Sequence, residues 1–359
     1  MAYSAEIHLI IDAFNLLVLG GTIMAKIRVG INGMGRIGRS VLRILTQTPH
    51  PNLEVVAVNN PGVKERYTHL VKYDSCHGIF PLDVKVEGDT LTVGDQNIHF
   101  FGDRDPSEIN WSEKNVDIVI DSTGRFKDKE ALGRHMKGTV KKVIMCAPGK
   151  DLDGTFVMGI NSENYDPSSH HIVSNASCTT NCLAPVAKVL NDSFGIESGF
   201  MTTVHSYTLD QRILDGSHAD KRRSRTAAVS MIPTTTGAAK AVGMVIPSLK
   251  GKLDGYAVRV PTPNVSLVDL TVRLNKSANA TEINSALKAA AESSLKGILD
   301  YTEEELVSVD FMGRTHSSIV DASLTNVIGD HVKVVAWYDN EVGFSNRVVD
   351  LTSFVGSQL

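Results

Sequence analysis

From Lys26 to Asn32 the chain reads KIRVGIN, a short run rich in β-branched apolar residues, and it stops directly at a glycine-rich turn. Helical spacing of apolar positions then takes over from Arg39 to Leu45. The pattern predicts strand, turn and helix. Leu53 to Asn59 (LEVVAVN) reads as a second buried strand, and Val116 to Asp121 and Lys142 to Cys146 as later ones, with helical stretches between them. Nearly continuous apolar strands alternating with helices predict an α/β fold with a parallel, doubly wound sheet, because such strands are covered on both faces. After about Asn175 the strands lengthen and alternate in polarity, at Gly199 to Ser206, Gly255 to Val260 and Ser266 to Leu274, again with helices between. An α+β unit with a mixed or antiparallel sheet is the simplest account. There is no internal repeat, no low-complexity segment and no Gly/Ser/Pro-rich linker, so the halves are expected to pack closely and share a site.

Length and composition narrow this picture. The 359 residues suit two domains better than one core. A hydrophobic content of 42%, a charged content of 21% and a net charge of −4 fit a globular chain and exclude disordered, fibrous and membrane classes. The one dense basic run, Lys221-Arg222-Arg223-Ser224-Arg225, is short and reads as a solvated or subunit-facing segment or an anion site, so no dedicated nucleic-acid binding is expected. The four cysteines, Cys76, Cys146, Cys178 and Cys182, lack CxxC spacing and predict neither a disulfide framework nor a metal site, which suits a reducing, cytoplasmic compartment. Leu9 to Leu19 is mostly apolar, but Asp12 and Asn15 interrupt it, no Lys or Arg precedes it, and it is far shorter than the roughly 20 residues a spanning helix needs. Residues 1–23 therefore read as a dispensable extension ahead of Met24.

The turn after the first strand is Gly33-Met34-Gly35-Arg36-Ile37-Gly38, a GxGxxG sequence between a predicted strand and a predicted helix. In that context it predicts dinucleotide binding: glycine permits the tight turn and lets backbone N–H groups approach a pyrophosphate held at the helix N-terminus. An acidic residue is expected about 20 positions on, to accept from the adenosine ribose. Asn59-Asn60-Pro61 stands there instead. Asn60 can still bond a hydroxyl but lacks the charge that would repel a 2′-phosphate, and Lys64 and Arg66 follow closely, so both NAD and NADP stay open.

Ser174-Asn175-Ala176-Ser177-Cys178-Thr179-Thr180-Asn181-Cys182 places a cysteine among small hydroxyl residues where a helix begins. A helix start favours the thiolate, which makes Cys178 the candidate nucleophile with a lowered pKa. Cys182, one turn further in, reads as structural. Pro185 predicts a kink or a short first helical segment, since it leaves the Asn181 carbonyl unbonded. His205 ends a strand, where it is a candidate base. The residues alone thus predict a dinucleotide-dependent enzyme with a cysteine nucleophile.

Taken together, INGMGRIGR (31–39), SNASCTTNCLAP (174–185), HSYT (205–208), TTTGAAKAVG (234–243), RVPTPNVSLVDL (259–270) and WYDNEVGFSNRVVDL (337–351) resemble the phosphorylating glyceraldehyde-3-phosphate dehydrogenase family, in that family's order and over essentially the whole chain from Met24. The resemblance implies a Rossmann-type dinucleotide-binding domain over 24–174 and 339–359, a catalytic domain over 175–338, and a homotetramer. It implies oxidation of glyceraldehyde 3-phosphate, through a thioester on Cys178 with His205 as base, to 1,3-bisphosphoglycerate after attack by inorganic phosphate. For the substrate phosphate it implies Thr208 and Arg259; for the attacking phosphate Ser177, Thr179, Thr236 and Gly237, with Arg225 contributing. For the cofactor it implies Gly33, Gly35, Arg36, Ile37, Gly38, Asn60, Arg104, Thr123 and Asn340, the last holding the nicotinamide carboxamide.

The chain departs from the family pattern at three places. Asn60 replaces the usual aspartate. Gly216-Ser217 is similar to the small pairs of chloroplast forms that use NADP. Val342 and Phe344 replace common aromatics near the nicotinamide side. The first two point to use of both NAD and NADP. The related erythrose-4-phosphate dehydrogenase branch tends to lose the Tyr-Thr after the histidine and the TGAAKAVG pattern, both intact here. A dinucleotide-binding protein without turnover would have no need of the nucleophile, the base and the phosphate residues together.

Overall fold

The computed structural model describes residues 26–359, so the extension expected over residues 1–23 lies outside the described residues. The first part of the chain forms strands β1 (Ile27–Asn32), β2 (Leu53–Asn59), a short ribbon of β3 (Tyr73–Asp74) and β4 (Gly78–Ile79), β5 (Val84–Glu87), β6 (Thr90–Val93), β7 (Gln96–Phe101), β8 (Ile118–Asp121), β9 (Lys142–Met145), β10 (Gly154–Thr155) and β11 (Ile172–Ser174). Helices α1 (Arg36–Gln47), α2 (Lys64–Lys72) and α3 (Lys129–Gly133) lie among them. Apart from the β3–β4 ribbon these strands build a nine-stranded sheet in the order β10-β11-β9-β8-β1-β2-β7-β6-β5. Pairing is parallel from β10 to β7, and the β5–β6–β7 edge is antiparallel. The strand order turns back on either side of β1, and a crevice at the carboxyl ends of β1, β2 and β8 is the expected ligand position in such a sheet.

The central strands are apolar along their whole length because both faces are covered: Val29, Ile31, Val58, Ile118, Ile120 and Val143 are all fully buried. Helix α1 begins at Arg36 rather than at Arg39, because the last residues of the glycine turn already carry helical bonding, with the Arg39 N–H donating to the Gly35 carbonyl at 3.1 Å. Two glycines of the turn are required by geometry. Gly33 has φ +98°, and a Cβ on Gly38 would lie 1.9 Å from the Gly33 carbonyl oxygen. Gly35 differs, since a Cβ there would meet nothing within 4 Å.

The second part continues with α4 (Cys178–Phe194), β12 (Ile196–Ser206), β13 (Ile232–Thr235), α5 (Ala238–Val245), β14 (Leu253–Val260), β15 (Ser266–Leu274), α6 (Ala280–Glu292), β16 (Leu299–Thr302), β17 (Ser318–Ile328), β18 (His331–Tyr338) and α7 (Val342–Gly356). Its strands form a seven-stranded mixed sheet in the order β13-β14-β12-β15-β18-β17-β16. β12 and β14 run parallel, while β12–β15–β18–β17 are antiparallel. The inner side chains of this sheet and the buried faces of α4, α5 and α6 share one core, which includes Leu183, Leu190, Val242, Leu270, Ile283 and Val334. Helix α4 runs unbroken through Pro185, not as a short first segment. Eleven of its residues are buried, and that packing outweighs the roughly 3 kcal/mol that an interior proline costs. The last helix, α7, returns to the first sheet, where Val348 and Val349 join the core beside α1 and Gly356 closes on Ile27. No helix of the described residues is long and apolar enough to cross a membrane.

Gly38→Ala should lower the thermal midpoint by several degrees, since overpacking against backbone costs about 1–3 kcal/mol. Gly35→Ala should lower it less, through the roughly 0.5–1 kcal/mol of a poorer helix cap, because its Cβ meets open space. Equal midpoints for the two variants in a thermal denaturation series would contradict the close approach at Gly38.

Candidate active site

The candidate nucleophile Cys178 and candidate base His205 meet at the seam between the two cores. β11 ends at Ser174, Ser177 caps α4 by accepting the Thr180 N–H at 3.0 Å, and Cys178 is the first helical residue. Between them Ala176 is fully buried in the left-handed region, φ +57°, with its N–H held by Ser174 Oγ at 2.9 Å. The Cys178 side chain packs against both the first-sheet core and the second. β12 delivers His205 from the other side, with Nε2 at 3.5 Å from the sulfur. His205 Nδ1 lies 2.7 Å from the Ser206 carbonyl, which can only accept, so Nδ1 carries the proton and Nε2 presents its lone pair to Cys178. Arg259 Nη1 donates to the same carbonyl at 3.0 Å. Arg259 Nη1 also lies 2.5 Å from Nδ1, so one guanidinium nitrogen contacts both the imidazole and the carbonyl.

Burial pushes the His205 imidazole down to about 3, with the Arg259 charge adding to the effect. Burial also pushes the Cys178 thiol up, against the opposing pull of the Arg259 charge and of hydrogen bonds at Thr179. The expectation of a lowered thiol pKa from the helix start alone is therefore corrected: desolvation is the larger effect here. A thiol and an imidazole that each resist charging alone can still charge together, because proton transfer from Sγ to Nε2 creates an adjacent ion pair in a low-dielectric seam.

Around this pair the sheet brings in polar groups. Arg259 on β14 lies beside His205 on β12 and Ile232 on β13. Thr179 Oγ1 is 2.9 Å from the Tyr338 hydroxyl, which is 2.9 Å from Thr203 Oγ1 on its other side. Thr208 follows β12, its N–H held by Gln211 Oε1 at 3.1 Å. Thr236 and Gly237 form the start of α5, where Thr236 Oγ1 accepts the Ala238 N–H at 3.2 Å. Arg225 is placed elsewhere: its guanidinium pairs with Asp215 at 2.9 Å and its side chain is 67% exposed. Arg223, two residues earlier on the same turn and 22% exposed, points inward, with Nε on Thr234 Oγ1 at 2.9 Å and Nη1 on Asp210. Its charge reaches Arg259. The basic run was the visible signal, but the side of the turn on which each arginine falls was not.

A cleft of about 310 Å³ opens at the carboxyl ends of β1, β2 and β8. It brings together Gly33, Gly35, Asn60, Arg104 and Thr123, with Asn32 and Arg125 also lining it. Several features fit a dinucleotide. The start of α1 has no side-chain cap, so its first N–H groups face the turn, and the open side of Gly35 lets a ligand approach. Asn60 Oδ1 accepts the Met34 N–H at 2.8 Å and so holds the glycine loop. Thr123 is fixed by Asp121 Oδ1 at 2.7 Å.

Ile37 packs partly against the first-sheet core. The Arg36 side chain leaves the cleft: it binds both Glu341 oxygens, at 2.7 and 2.5 Å, and Asp74 Oδ2 at 2.5 Å. Asn340 is not among the residues lining this cleft; its Oδ1 accepts from the hydroxyl of Ser206, the residue after His205, at 2.9 Å. Phe344 is a buried residue of the first-sheet core, and Gly216-Ser217 are not among the residues lining the cleft. Sequence reasoning missed Tyr338, Ser206 and Ser266, whose partners lie far off in the chain, and Arg223, whose partners Thr234 and Asp210 lie 11 and 13 residues away.

Two family descriptions match the chain: the glyceraldehyde 3-phosphate dehydrogenase NAD binding domain over residues 27–129 and the C-terminal domain of the same enzyme over residues 177–340. Among curated proteins it is similar to glyceraldehyde-3-phosphate dehydrogenase of Geobacillus stearothermophilus, 57% identical over 92% of this chain and 99% of that one. It is also similar to glyceraldehyde-3-phosphate dehydrogenase 2 of Trichormus variabilis and glyceraldehyde-3-phosphate dehydrogenase 1 of Bacillus subtilis, 55% and 54% identical over the same shares.

If the thiolate of Cys178 depends on proton transfer to His205, then His205→Asn should move the pH profile of Cys178 alkylation by iodoacetamide to higher pH, because burial then acts on an unpartnered thiol. The same variant should lose about 10²–10⁴-fold in turnover, the usual weight of a general base. An alkylation profile that stays in place would show that the thiolate forms without the histidine.

Proposed function

The chain belongs to the glyceraldehyde-3-phosphate dehydrogenase family, and from that premise we propose how its own residues divide the work of the reaction. The protein is an NAD-dependent oxidoreductase that carries out the phosphorylating oxidation of glyceraldehyde 3-phosphate. The observation that carries the assignment of roles is the 3.5 Å approach of His205 Nε2 to Cys178 Sγ, with the imidazole tautomer set by the Ser206 carbonyl. Nε2 takes the thiol proton and the thiolate adds to the aldehyde carbon. The new alkoxide takes the proton back, giving a hemithioacetal on Cys178. Bound NAD supplies the hydride acceptor for its oxidation. Nε2 removes the hemithioacetal hydroxyl proton as the carbonyl re-forms, leaving a thioester. An oxygen of inorganic phosphate attacks that carbonyl and the Cys178 thiolate leaves, which gives the acyl phosphate. The Cys178 backbone N–H, at the first turn of α4, is the natural donor to the oxyanion formed at each addition.

Thr208 and Arg259 are the proposed ligands of the substrate phosphate. Ser177, Thr179, Thr236 and Gly237 are those of the attacking phosphate, with Arg223 in place of Arg225 because it alone of the two turns toward Arg259. A guanidinium fork and hydroxyls suit phosphate oxygens. The proposed division places 24–174 with 339–359 in the cofactor domain and 175–338 in the catalytic domain, in keeping with the return of α7 to the first sheet. Leu209, Ile213, Leu214, Val229 and Met231 crowd one exposed segment, an apolar surface that favours burial by other copies, as in a homotetramer. Four unpaired cysteines suit the cytoplasm. We also propose use of NADP beside NAD, because Asn60 holds the glycine loop without contributing a negative charge.

Initial rates with glyceraldehyde 3-phosphate and inorganic phosphate should show phosphate-dependent reduction of both cofactors, abolished in Cys178→Ser. Asn60→Asp should reduce use of NADP at least about tenfold relative to NAD, the weight of one new like charge near a 2′-phosphate. An unchanged NADP to NAD ratio would contradict that role of Asn60, and no phosphate-dependent rate with either cofactor would sink the assignment of roles.

A further inference from the structure

Three adjacent strands of the first sheet end in buried polar residues that face one another in register: Asn59 on β2, Asn32 on β1 and Asp121 on β8. Their side chains form one run of hydrogen bonds under the cleft at the strand ends, and its polarity is set from both ends by groups that have a single role. At one end the Asp103 N–H donates to Asn59 Oδ1 at 2.9 Å and the Asp103 carbonyl accepts from Asn59 Nδ2 at 3.0 Å. Neither backbone group can reverse, so the Asn59 carboxamide is fixed. Its Nδ2 also donates to Asn32 Oδ1 at 2.8 Å, which turns Asn32 Nδ2 toward Asp121 Oδ2, again at 2.8 Å. At the other end the indole Nε1 of Trp111, which can only donate, lies 3.1 Å from His135 Nδ1. Nδ1 is thus the acceptor, and the imidazole proton sits on Nε2, 3.3 Å from Asp121 Oδ2.

Both runs meet on the Asp121 carboxylate. Its other oxygen, Oδ1, accepts the Thr123 N–H at 3.1 Å and the Thr123 hydroxyl at 2.7 Å, and Thr123 Oγ1 in turn accepts the Arg125 N–H at 3.2 Å. A buried carboxylate is tolerated only while its donors are in place, so each of these bonds constrains the others. The run reaches two walls of the cleft: Asp103 and Arg104 follow β7, and Thr123 and Arg125 follow β8. All four line the cleft, whereas Asp121, His135 and Trp111 do not. His135 is fully buried behind them.

We propose that His135 and Trp111 are positioning residues for the dinucleotide: without touching it, they hold Asp121, and through Asp121 the two walls of the cleft, in the arrangement that receives it. The proposal rests on the reading of this cleft as the cofactor site. Without the His135 N–H, Asp121 Oδ2 loses one of its two donors. The carboxylate then turns toward a replacement and takes Thr123 with it, so affinity for the cofactor falls while the reacting groups at Cys178 stay as they are.

The test is calorimetric titration of NAD into the full chain with no substrate present, so that binding is read directly. His135→Leu, which fills a similar volume without a donor, should weaken Kd for NAD about tenfold, the effect of one buried acceptor left unpaired. Trp111→Phe should weaken it about threefold, because nothing then selects the imidazole tautomer. His135→Gln, whose amide can donate to Asp121 and accept from Trp111, should return Kd to within about threefold of the parent, a rescue that lost packing would not give. At saturating NAD, kcat of His135→Leu should stay within about twofold of the parent, with KM for glyceraldehyde 3-phosphate unchanged. An unchanged Kd in His135→Leu would overturn the proposal, and so would a His135→Gln as weak as His135→Leu. If the cofactor-free thermal midpoint shows that His135→Leu does not fold, Trp111→Phe decides, and an unchanged Kd there would overturn it. In Gly35→Leu, whose side chain enters the cleft, undiminished NAD binding would instead remove the reading of the cleft as the cofactor site.

Discussion

The structure depends on keeping Cys178 and His205 together and away from water. Neither half of the chain makes that environment alone. The sulfur stands on α4, which starts where β11 of the first sheet stops, and the imidazole stands at the end of β12 in the second sheet. The cysteine side chain touches both cores. Any loosening of the seam would rehydrate the pair and separate its members, so the packing of the halves is part of the chemistry. This explains why α7 leaves the second sheet to pack beside α1, and why a bidentate ion pair from Arg36 to Glu341 joins the two helices at their starts. Arg36 begins α1 and Glu341 immediately precedes α7, so the pair ties the two helix starts together.

Holding such a seam requires conformations the chain would not choose locally. Ala176 and Val265 both sit in the left-handed region, φ +57° and +68°, one on each side of the reacting pair. Each costs about 1–3 kcal/mol, tolerable only because neighbouring groups over-determine it. Ser174 Oγ holds the Ala176 N–H, and Ser266, fixed by Ser206 and Asn340, follows Val265. The small hydroxyl residues around the site thus have two uses: they satisfy strained backbone and they orient functional groups.

Strands with a clear apolar pattern, continuous or alternating, were legible in the sequence almost to the residue. Leu53–Asn59 and Ser266–Leu274 are strands with the bounds their patterns predict. The candidate nucleophile stands out in the sequence because its cap and small neighbours are contiguous. What the sequence concealed is side-chain direction across long separations. Arg223 and Arg225 belong to one basic run and look equivalent, but a turn in which the Arg225 N–H donates to Arg222 O at 3.2 Å sends them to opposite sides. Tyr338 reaches Thr203, and Asn340 reaches Ser206 and Ser266, over separations that no local pattern encodes. The thiol pKa was misjudged for a related reason: the helix start is visible in sequence, whereas desolvation by two cores is not.

Asn60 shows how one position can carry two separable tasks. Its carbonyl oxygen holds the Met34 N–H at 2.8 Å and its amide holds the Pro61 carbonyl at 2.9 Å, so the residue braces the glycine loop with neutral hydrogen bonds. An aspartate could supply the first of these bonds equally well, but not the second, and it would add a charge at the mouth of the cleft. Bracing the loop and setting the charge at the cleft mouth are therefore separable tasks of this position. Arg104 and Arg125 line the same cleft opposite a single acidic side chain, Asp103. Positive side chains outnumber acidic ones in that lining, and a loop braced by a neutral asparagine adds no negative charge to offset them.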